Sequence, residues 1–569
     1  MTRSRAGRSA VLLLATASLT LAGCAQQSNT GTSGGDSTQA SVGYPETADL
    51  PDVAGKPGGT FRLGINEPTA IDPYNAQESE GLLVTKALFT GLVDVKPDGT
   101  VIPGVADKWT PNADCTQWAF DLKQGTTFSN GEPVDAAAFK RGWTRSVVKT
   151  AASDVAYHLG EVKGFDELQA GTAQDFTGVD ATNPNQLKVT LTKADCEFVL
   201  HTITAPASPV PTVAGAADNK TFNDLPIGNG PFKMDGPWQH DKGIKLVRND
   251  TYGAGPKANL DSVEITITPS ANGSQIETDG FNNGTFDWAR MPVPVLAQER
   301  AANEPKNQWI SKKTAGINYL LVEVTKAPLD KADARKAISE AIDRNAIAQG
   351  VFQGSQVPAT ALVPASFKGA YQPGVCTACK YDPADAKKLA ASAGLTPGTT
   401  VTFQFNTGSG HEEWTAAVKQ QLETNLGLKV TYSGVPFKDL LKNEQQPTAT
   451  GIYRAAWGAD YPTAGNFLAP LLSTAGIGAA TANDVAQGDN RGRYSNPQFD
   501  QLLAKAAATP DQAARDDLYK QAEKIAIGDD LGLIPLWARQ QFRLANTAKF
   551  GNLKMDFFEN PTLGSITLK

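Results

Sequence analysis

Apolar and polar residues alternate in several short runs of this chain. Phe61, Leu63 and Ile65 form one such run, and Trp118, Phe120 and Leu122 another. Leu187, Val189 and Leu191 repeat the pattern, as do Val401, Phe403 and Phe405, and then Leu428, Val430 and Tyr432. Each predicts a half-buried strand, because successive strand side chains point to opposite faces. Between them the period lengthens to that of a helix. A helix is predicted from about Ala136 to Val148. Ala334, Ile338, Ala341 and Ile342 fall on one helical face, as do Trp414, Val418, Leu422 and Leu426, and Ala514, Leu518, Ala522 and Ile525. The punctuation agrees with these periods. Asp330 is read as an N-cap, Asp382 caps a helix with Pro383 at its first position, and Gly394 and Gly427 end helices. Thr509-Pro510-Asp511-Gln512 is read as a capping box. The strand, helix and strand from Val401 to Tyr432 form a unit that needs a parallel sheet, so an α/β lobe is expected.

With 569 residues the chain exceeds a single core, and two or more lobes follow. Its composition, 40% hydrophobic and 20% charged, is that of a globular protein. The first 23 residues stand apart. Arg3, Arg5 and Arg8 precede a short apolar run from Ala10 to Thr20, too short to span a bilayer as a mature helix. Leu21-Ala22-Gly23-Cys24 then matches the lipobox of bacterial lipoproteins. That likeness implies removal of residues 1–23 and acylation of Cys24, and a membrane anchor of two or more chains. Loss of the three arginines takes the net charge from −7 to −10. No basic surplus remains for nucleic acid, which excludes that partner class. Residues 24–55, rich in Ser, Thr, Gly and Gln, read as a flexible tether. Gly31-Thr32-Ser33-Gly34-Gly35 fits a nucleophile-elbow pattern but has no strand before it or helix after it.

Four cysteines remain, and an even number in an exported chain points to two disulfides. Cys115 lies just before the Trp118 run and Cys196 just after the Leu187 run. If those strands pair antiparallel, the two ends coincide, so Cys115–Cys196 is predicted. Cys376 and Cys379 then pair with each other. A CxxC is also compatible with half a zinc site or a redox centre. However, a second set of zinc ligands is missing, and Pro373-Gly374 precedes the pair where a redox motif would have a strand.

The densest chemistry is Arg454-Ala455-Ala456-Trp457-Gly458-Ala459-Asp460-Tyr461. Arg454 and Asp460 are too far apart for a helical ion pair, and on a strand would lie roughly 20 Å apart. Opposite charges held apart beside an aromatic suit a ligand charged at both ends, as a peptide is. The plain alternative is a strand-to-loop junction with solvated charges and Trp457 in the core. The segment, continued by Asn466-Phe467-Leu468, resembles the ligand-pocket stretch of the oligopeptide-binding proteins of ABC importers. The resemblance implies that Asp460 takes the ligand's ammonium and that Trp457 lines a side-chain pocket. It also implies, for some members only, that Arg454 faces the ligand's carboxylate. Ala456, Gly458, Tyr461 and Asn466 complete the expected site. Gly458 is small where some peptide binders carry a larger residue.

The likeness continues along the chain. Pro103, Ala106 and Trp109, then Phe128-Ser129-Asn130-Gly131-Glu132-Pro133, Pro226-Ile227-Gly228-Asn229-Gly230-Pro231-Phe232, and Asp333 to Arg344 occur in the order found in solute-binding family five of ABC importers. Asn229 stands where that family usually has Thr. The implied fold is the type II periplasmic-binding-protein arrangement, α/β with two lobes of mixed sheets. Two crossover strands, near 312–316 and 532–537, form its hinge. Lobe I is expected to span 56–312 and 534–569, with an inserted subdomain at about 98–204, and lobe II to span 313–533. The implied role is a monomeric, lipid-anchored extracytoplasmic receptor that delivers short peptides to a permease and its ATPase. No cofactor or metal is implied. A binder of nickel chelates, haem or sugars is the alternative within the family. A hydrolase would need a base among His158, His201, His240 and His411, and His411-Glu412-Glu413-Trp414 is not a metalloprotease motif.

Overall fold

The computed structural model describes residues 43–407, 410–478 and 488–569. Cys24 and the leader before it lie outside the described residues. A mixed sheet of eleven strands runs through the molecule. At one end Thr400–Asn406 pairs in parallel with both Lys429–Val435 and Ile452–Gly458. At the other, Thr60–Ile65 pairs in parallel with Ser262–Ile267 and Trp288–Ala289, and Gly243–Arg248 and Phe232–Met234 complete the edge. Two long antiparallel strands, Trp309–Val322 and Ile534–Ala545, join these halves.

The two halves have separate cores. Phe403, Trp414, Leu422 and Ile452 are buried together with Ile317, Leu320, Ile534, Leu536 and Trp537. Phe61, Leu63, Val263 and Trp288 form another core, which takes in Ala545 and Phe550. The long strands thus contribute apolar side chains to one core at one end and to the other core at the opposite end. Their pairing breaks between Lys313 and Ile317, where three residues oppose Arg539 alone. Two crossings with such a break permit hinge motion. A third core, with Trp118, Phe120, Phe139, Trp143 and Leu187, fills a four-stranded sheet made by Ala106–Pro111, Gln117–Leu122, Gln186–Thr190 and Val179–Asn183.

That small sheet pairs Trp118 with Val189 and Phe120 with Leu187, antiparallel. The ends of its strands meet, and Cys115 is bonded to Cys196. Cys376 is bonded to Cys379 beside a short 3-10 turn, and among the described residues no cluster of metal-ligating side chains occurs.

Two helix starts differ from the sequence reading. Asp330 is not a cap, since the helix begins at Ala332 after Lys331. The Arg335 guanidinium donates to the carbonyls of Leu329 and Asp330, and this draws those residues into a turn ahead of the helix. Likewise the capping residue near 510 is Asp511, whose carboxylate accepts from the Ala514 N–H, so Thr509 and Pro510 precede the helix. Arg515 again holds the carbonyls of both displaced residues. Asp382 and Pro383 start their helix as read.

Of the expected tether, residues 43–55 lie against the fold. Tyr44 packs on Trp309 and Phe542, and Thr47 exchanges hydrogen bonds with Ser311. The N-terminal segment is therefore seated on the two crossing strands.

Candidate ligand-binding site

Ile452–Gly458 places the charged segment in the sheet. Its antiparallel neighbour pairs Leu320 with Arg454, Asn318 with Ala456, Ile317 with Trp457 and Gly316 with Gly458. On its other side Thr400–Asn406 pairs only with Ile452 and Tyr453. From Arg454 to Gly458, among the described residues, that edge has no strand beside it, so backbone donors and acceptors are left open there.

After Gly458 the chain turns and a short helix, Gly465–Leu472, brings Asn466 back to the strand end. Asn466 is almost completely buried and does three things. Its amide donates to Asp460 Oδ2 at 3.0 Å, its side-chain oxygen accepts from the Asp460 N–H at 2.9 Å, and its carbonyl accepts from Trp457 Nε1 at 2.8 Å. This locks the Asp460 carboxylate and the Trp457 ring to one residue. Trp457→Phe keeps an aromatic ring, though a smaller one, and removes the donor to Asn466. A loss of about 1 kcal/mol in unfolding free energy is expected. A denaturant titration with an unchanged midpoint would remove that bond from the support of the site.

Asp460 makes no salt bridge among the described residues. Burial pushes its pKa up to about 6, against the pull of the Asn466 amide, the His201 charge and the Tyr157 hydroxyl. Tyr461 packs at a tilt against His201, with ring centroids 4.4 Å apart, and lies edge-on to His158. Tyr157, His158 and His201 belong to the segment that carries the small sheet. The wall facing Asp460 therefore comes from a part of the chain remote in sequence, and nothing local marks those residues as site-forming. Beside this wall Glu197 is buried between Thr463 Oγ1 at 2.7 Å, Tyr519 Oη at 2.5 Å and Arg515 Nε at 3.0 Å. Burial raises the Glu197 pKa and the Arg515 charge opposes it.

Arg454 lies at the far end of the strand. Among the described residues its one side-chain hydrogen bond runs from Nη1 to the Asn406 side-chain oxygen at 3.3 Å, and its Nε is buried without a partner. Burial and the nearby Arg539 charge bring its pKa down to about 10. Arg539 is the site residue that local pattern does not reveal, since it sits on the second crossing strand. Asp489 is another, with a pKa raised by burial and by Asp460, against the pull of Arg491. Ala456 and Gly458 lie between the charged ends and present almost no side chain.

The four histidines lie in different surroundings. His201 Nε2 meets Asp195 at 3.2 Å and its Nδ1 meets the His158 carbonyl at 3.2 Å, so both ring nitrogens are engaged. Burial drops the His158 pKa to about 3. His411 accepts from Trp414 Nε1 at 3.1 Å, and the exposed His240 is held between Glu67 and Asp224.

Two halves with separate cores, joined by two long crossing strands, form the mixed α/β arrangement of a type II periplasmic binding protein. The chain belongs to the bacterial extracellular solute-binding proteins, family 5, whose model matches residues 100–479. These are solute-binding proteins, not enzymes. The oligopeptide-binding protein OppA of Bacillus subtilis is 29% identical over 497 residues, covering 84% of this chain and 88% of that protein. The periplasmic oligopeptide-binding protein OppA of Salmonella typhimurium is 28% identical over 506 residues, covering 87% and 90%. Among solved structures, the unliganded open form of the murein tripeptide-binding protein MppA superposes with a TM-score of 0.73 at 25% identity, over 91% of this chain and 98% of that one. Haemophilus influenzae OppA, solved with the peptide RPPGFSPFR, has a TM-score of 0.71 at 23% identity, over 90% and 100%.

Proposed function

We propose that this protein is the extracytoplasmic receptor of an ABC importer and captures short peptides between its lobes. One observation carries the reading: Asp460 is a fixed carboxylate, short of a counter-charge, at the end of an open strand edge. An α-ammonium supplies the missing charge, and an extended peptide backbone pairs with the edge from Arg454 to Gly458. Trp457 and Tyr461 border space for side chains, and Ala456 and Gly458 allow close backbone approach. The names of the relatives point to the same ligand class. The change of lobe falls at the strand break opposite Arg539. Capture closes the lobes, and the closed form, monomeric and held at the membrane by acylated Cys24, engages the permease. The partner ATPase drives uptake.

The test is mass spectrometry of ligand released on denaturing the purified, untagged mature protein. Retained peptides with free N-termini are the expected result. A retained nickel chelate, haem or sugar, with no peptide, would keep the receptor role and overturn the peptide assignment. N-acetylation of a bound peptide should weaken it about as much as loss of Asp460.

A further inference from the structure

Both edges of the first crossing strand, Trp309–Val322, are interrupted at the same place. On one edge its pairing with Ile534–Ala545 lapses between Lys313 and Ile317. On the other edge two different partners meet end to end. The N-terminal segment holds Ser311 to Lys313. The Thr47 N–H donates to the Ser311 carbonyl at 2.9 Å, the Ser311 N–H donates to Thr47 Oγ1 at 3.1 Å, and the Lys313 N–H donates to Glu46 Oε1 at 2.9 Å. The ligand strand then takes over. The Ala459 N–H donates to the Ala315 carbonyl at 2.8 Å, and Gly458 pairs with Gly316. Alternate residues of a strand turn their N–H and C=O groups to the same edge, so Ser311, Lys313 and Ala315 present one continuous edge. Thr314 lies between the two partners, and its hydroxyl is buried without a hydrogen bond among the described residues.

The N-terminal segment is fastened on both sides of the break. The Tyr44 ring, packed on Trp309 and Phe542, also lies under the Arg300 guanidinium at 5.4 Å. Its carbonyl accepts from Gln540 Nε2 at 2.7 Å, and the same amide donates to Ser311 Oγ at 2.8 Å. Lys312 Nζ reaches the Thr47 carbonyl at 2.7 Å and Asp49 at 2.9 Å. Past the break, Gly43 lies against Val357, where an added Cβ would be 3.0 Å from Val357 Cγ2. Val357 pairs with Ala538, next to Trp537 of the other core. Further along the segment, Asp52 pairs with Lys554 at 2.6 Å and the Val53 N–H donates to Asn552 at 2.8 Å, beside Leu553 and Met555 of the Phe61 core.

Hydrogen bonds on both edges fix the backbone of a strand, and residues that lack them open first. We infer that residues 43–49 are a hinge strap: they splint the crossing strand up to Lys313, confine the bend to residues 314–316, and so position the adjoining end of the ligand strand. The strap needs two lobes and a hinge, and it acts on any ligand held there. When it is unseated the bend spreads back towards Trp309, the Gly458–Ala459 end of the ligand strand loses its fixed place, and bound ligand leaves faster.

The test compares the mature wild type with Tyr44→Ala/Glu46→Ala/Asp49→Ala, which unseats the strap, and with Asp52→Ala, which cuts the same segment away from the hinge. Hydrogen–deuterium exchange of the ligand-free proteins is followed in segments 311–322 and 452–460, and dissociation of tetraalanine by stopped flow. The strap variant should exchange about tenfold faster in both segments and release tetraalanine about tenfold faster, the scale of one hydrogen bond lost. Asp52→Ala should match the wild type in both. Wild-type exchange in the strap variant overturns the inference, and so does equal acceleration by Asp52→Ala, which would make the whole segment a support of the fold. If the triple variant does not fold, Glu46→Ala alone removes the acceptor at Lys313 and should still speed exchange in 311–322, while Glu46→Gln, which keeps an acceptor oxygen, should restore it. Wild-type exchange in Glu46→Ala then overturns the strap. If tetraalanine does not bind the wild type, the peptide reading is what suffers, and exchange alone decides the strap.

Discussion

Asp460→Ala is expected to weaken binding of a free-amine peptide by about 3–5 kcal/mol, the cost of removing one partner from a desolvated ion pair. Asn466 donates to the carboxylate and accepts from the Asp460 backbone N–H, so the carboxylate waits in the geometry that the ammonium needs. Asp460→Asn tests the charge at nearly constant shape and should lose most of the same amount. The pH dependence adds an independent readout. In the free protein burial places the Asp460 pKa at about 6, above its ordinary value of 3.8. The ammonium selects the ionised form, so affinity should be full above pH 6 and fall as pH drops through that value. Stability of the free protein moves the other way. The native state retains a proton that the unfolded chain has released, so Asp460 makes the free protein less stable as pH rises from about 4 to about 6. Calorimetry across this range on wild type and Asp460→Asn checks both signs. A wild-type affinity that is flat with pH and matched by the variant would remove Asp460 as the anchor.

The sequence is unequal in what it discloses, and the reasons are physical. Strand alternation sufficed for the small sheet, because Trp118 and Val189 must share a buried face, and this brought Cys115 and Cys196 together. The segment from Arg454 to Tyr461 stood out because its unusual residues are contiguous. Asn466 was legible as a neighbour, though not as the residue that grips Asp460 and Trp457 together. Tyr157, His201 and Arg539 were invisible, since each reaches the site through tertiary structure. Arg539 depends on a break in strand register that no hydrophobic period records. The two misplaced helix starts share a cause. Asp330 and Thr509 have the right chemistry for caps, but in each case an arginine further along takes up the preceding carbonyls and moves the first turn.

Replacing Cys115 and Cys196 together by serine should lower unfolding free energy by ~4.5 kcal/mol, and its effect should reach the ligand. The magnitude follows from the sequence separation of 81, which the disulfide closes in the unfolded chain. The same substitution at Cys376 and Cys379, separated by three, should cost only ~1.5 kcal/mol on that account. The functional consequence follows from position. Cys196 donates its N–H to the Ala507 carbonyl at 2.7 Å, across to the half of the molecule that carries the ligand strand. Its neighbours on either side are Asp195, which pairs with His201, and Glu197, which is inserted between Thr463, Arg515 and Tyr519. The disulfide therefore anchors the short segment through which the small-sheet region grips the 460–466 turn. Without it that grip must be ordered anew at each closure, so peptide affinity should fall along with stability. Denaturant unfolding and peptide titration of both double variants separate the effects. If the Cys115/Cys196 variant loses stability but binds peptide as the wild type does, the segment supports the fold alone and closure does not depend on it. If the two double variants lose equal stability, loop length is not the source of the stabilisation.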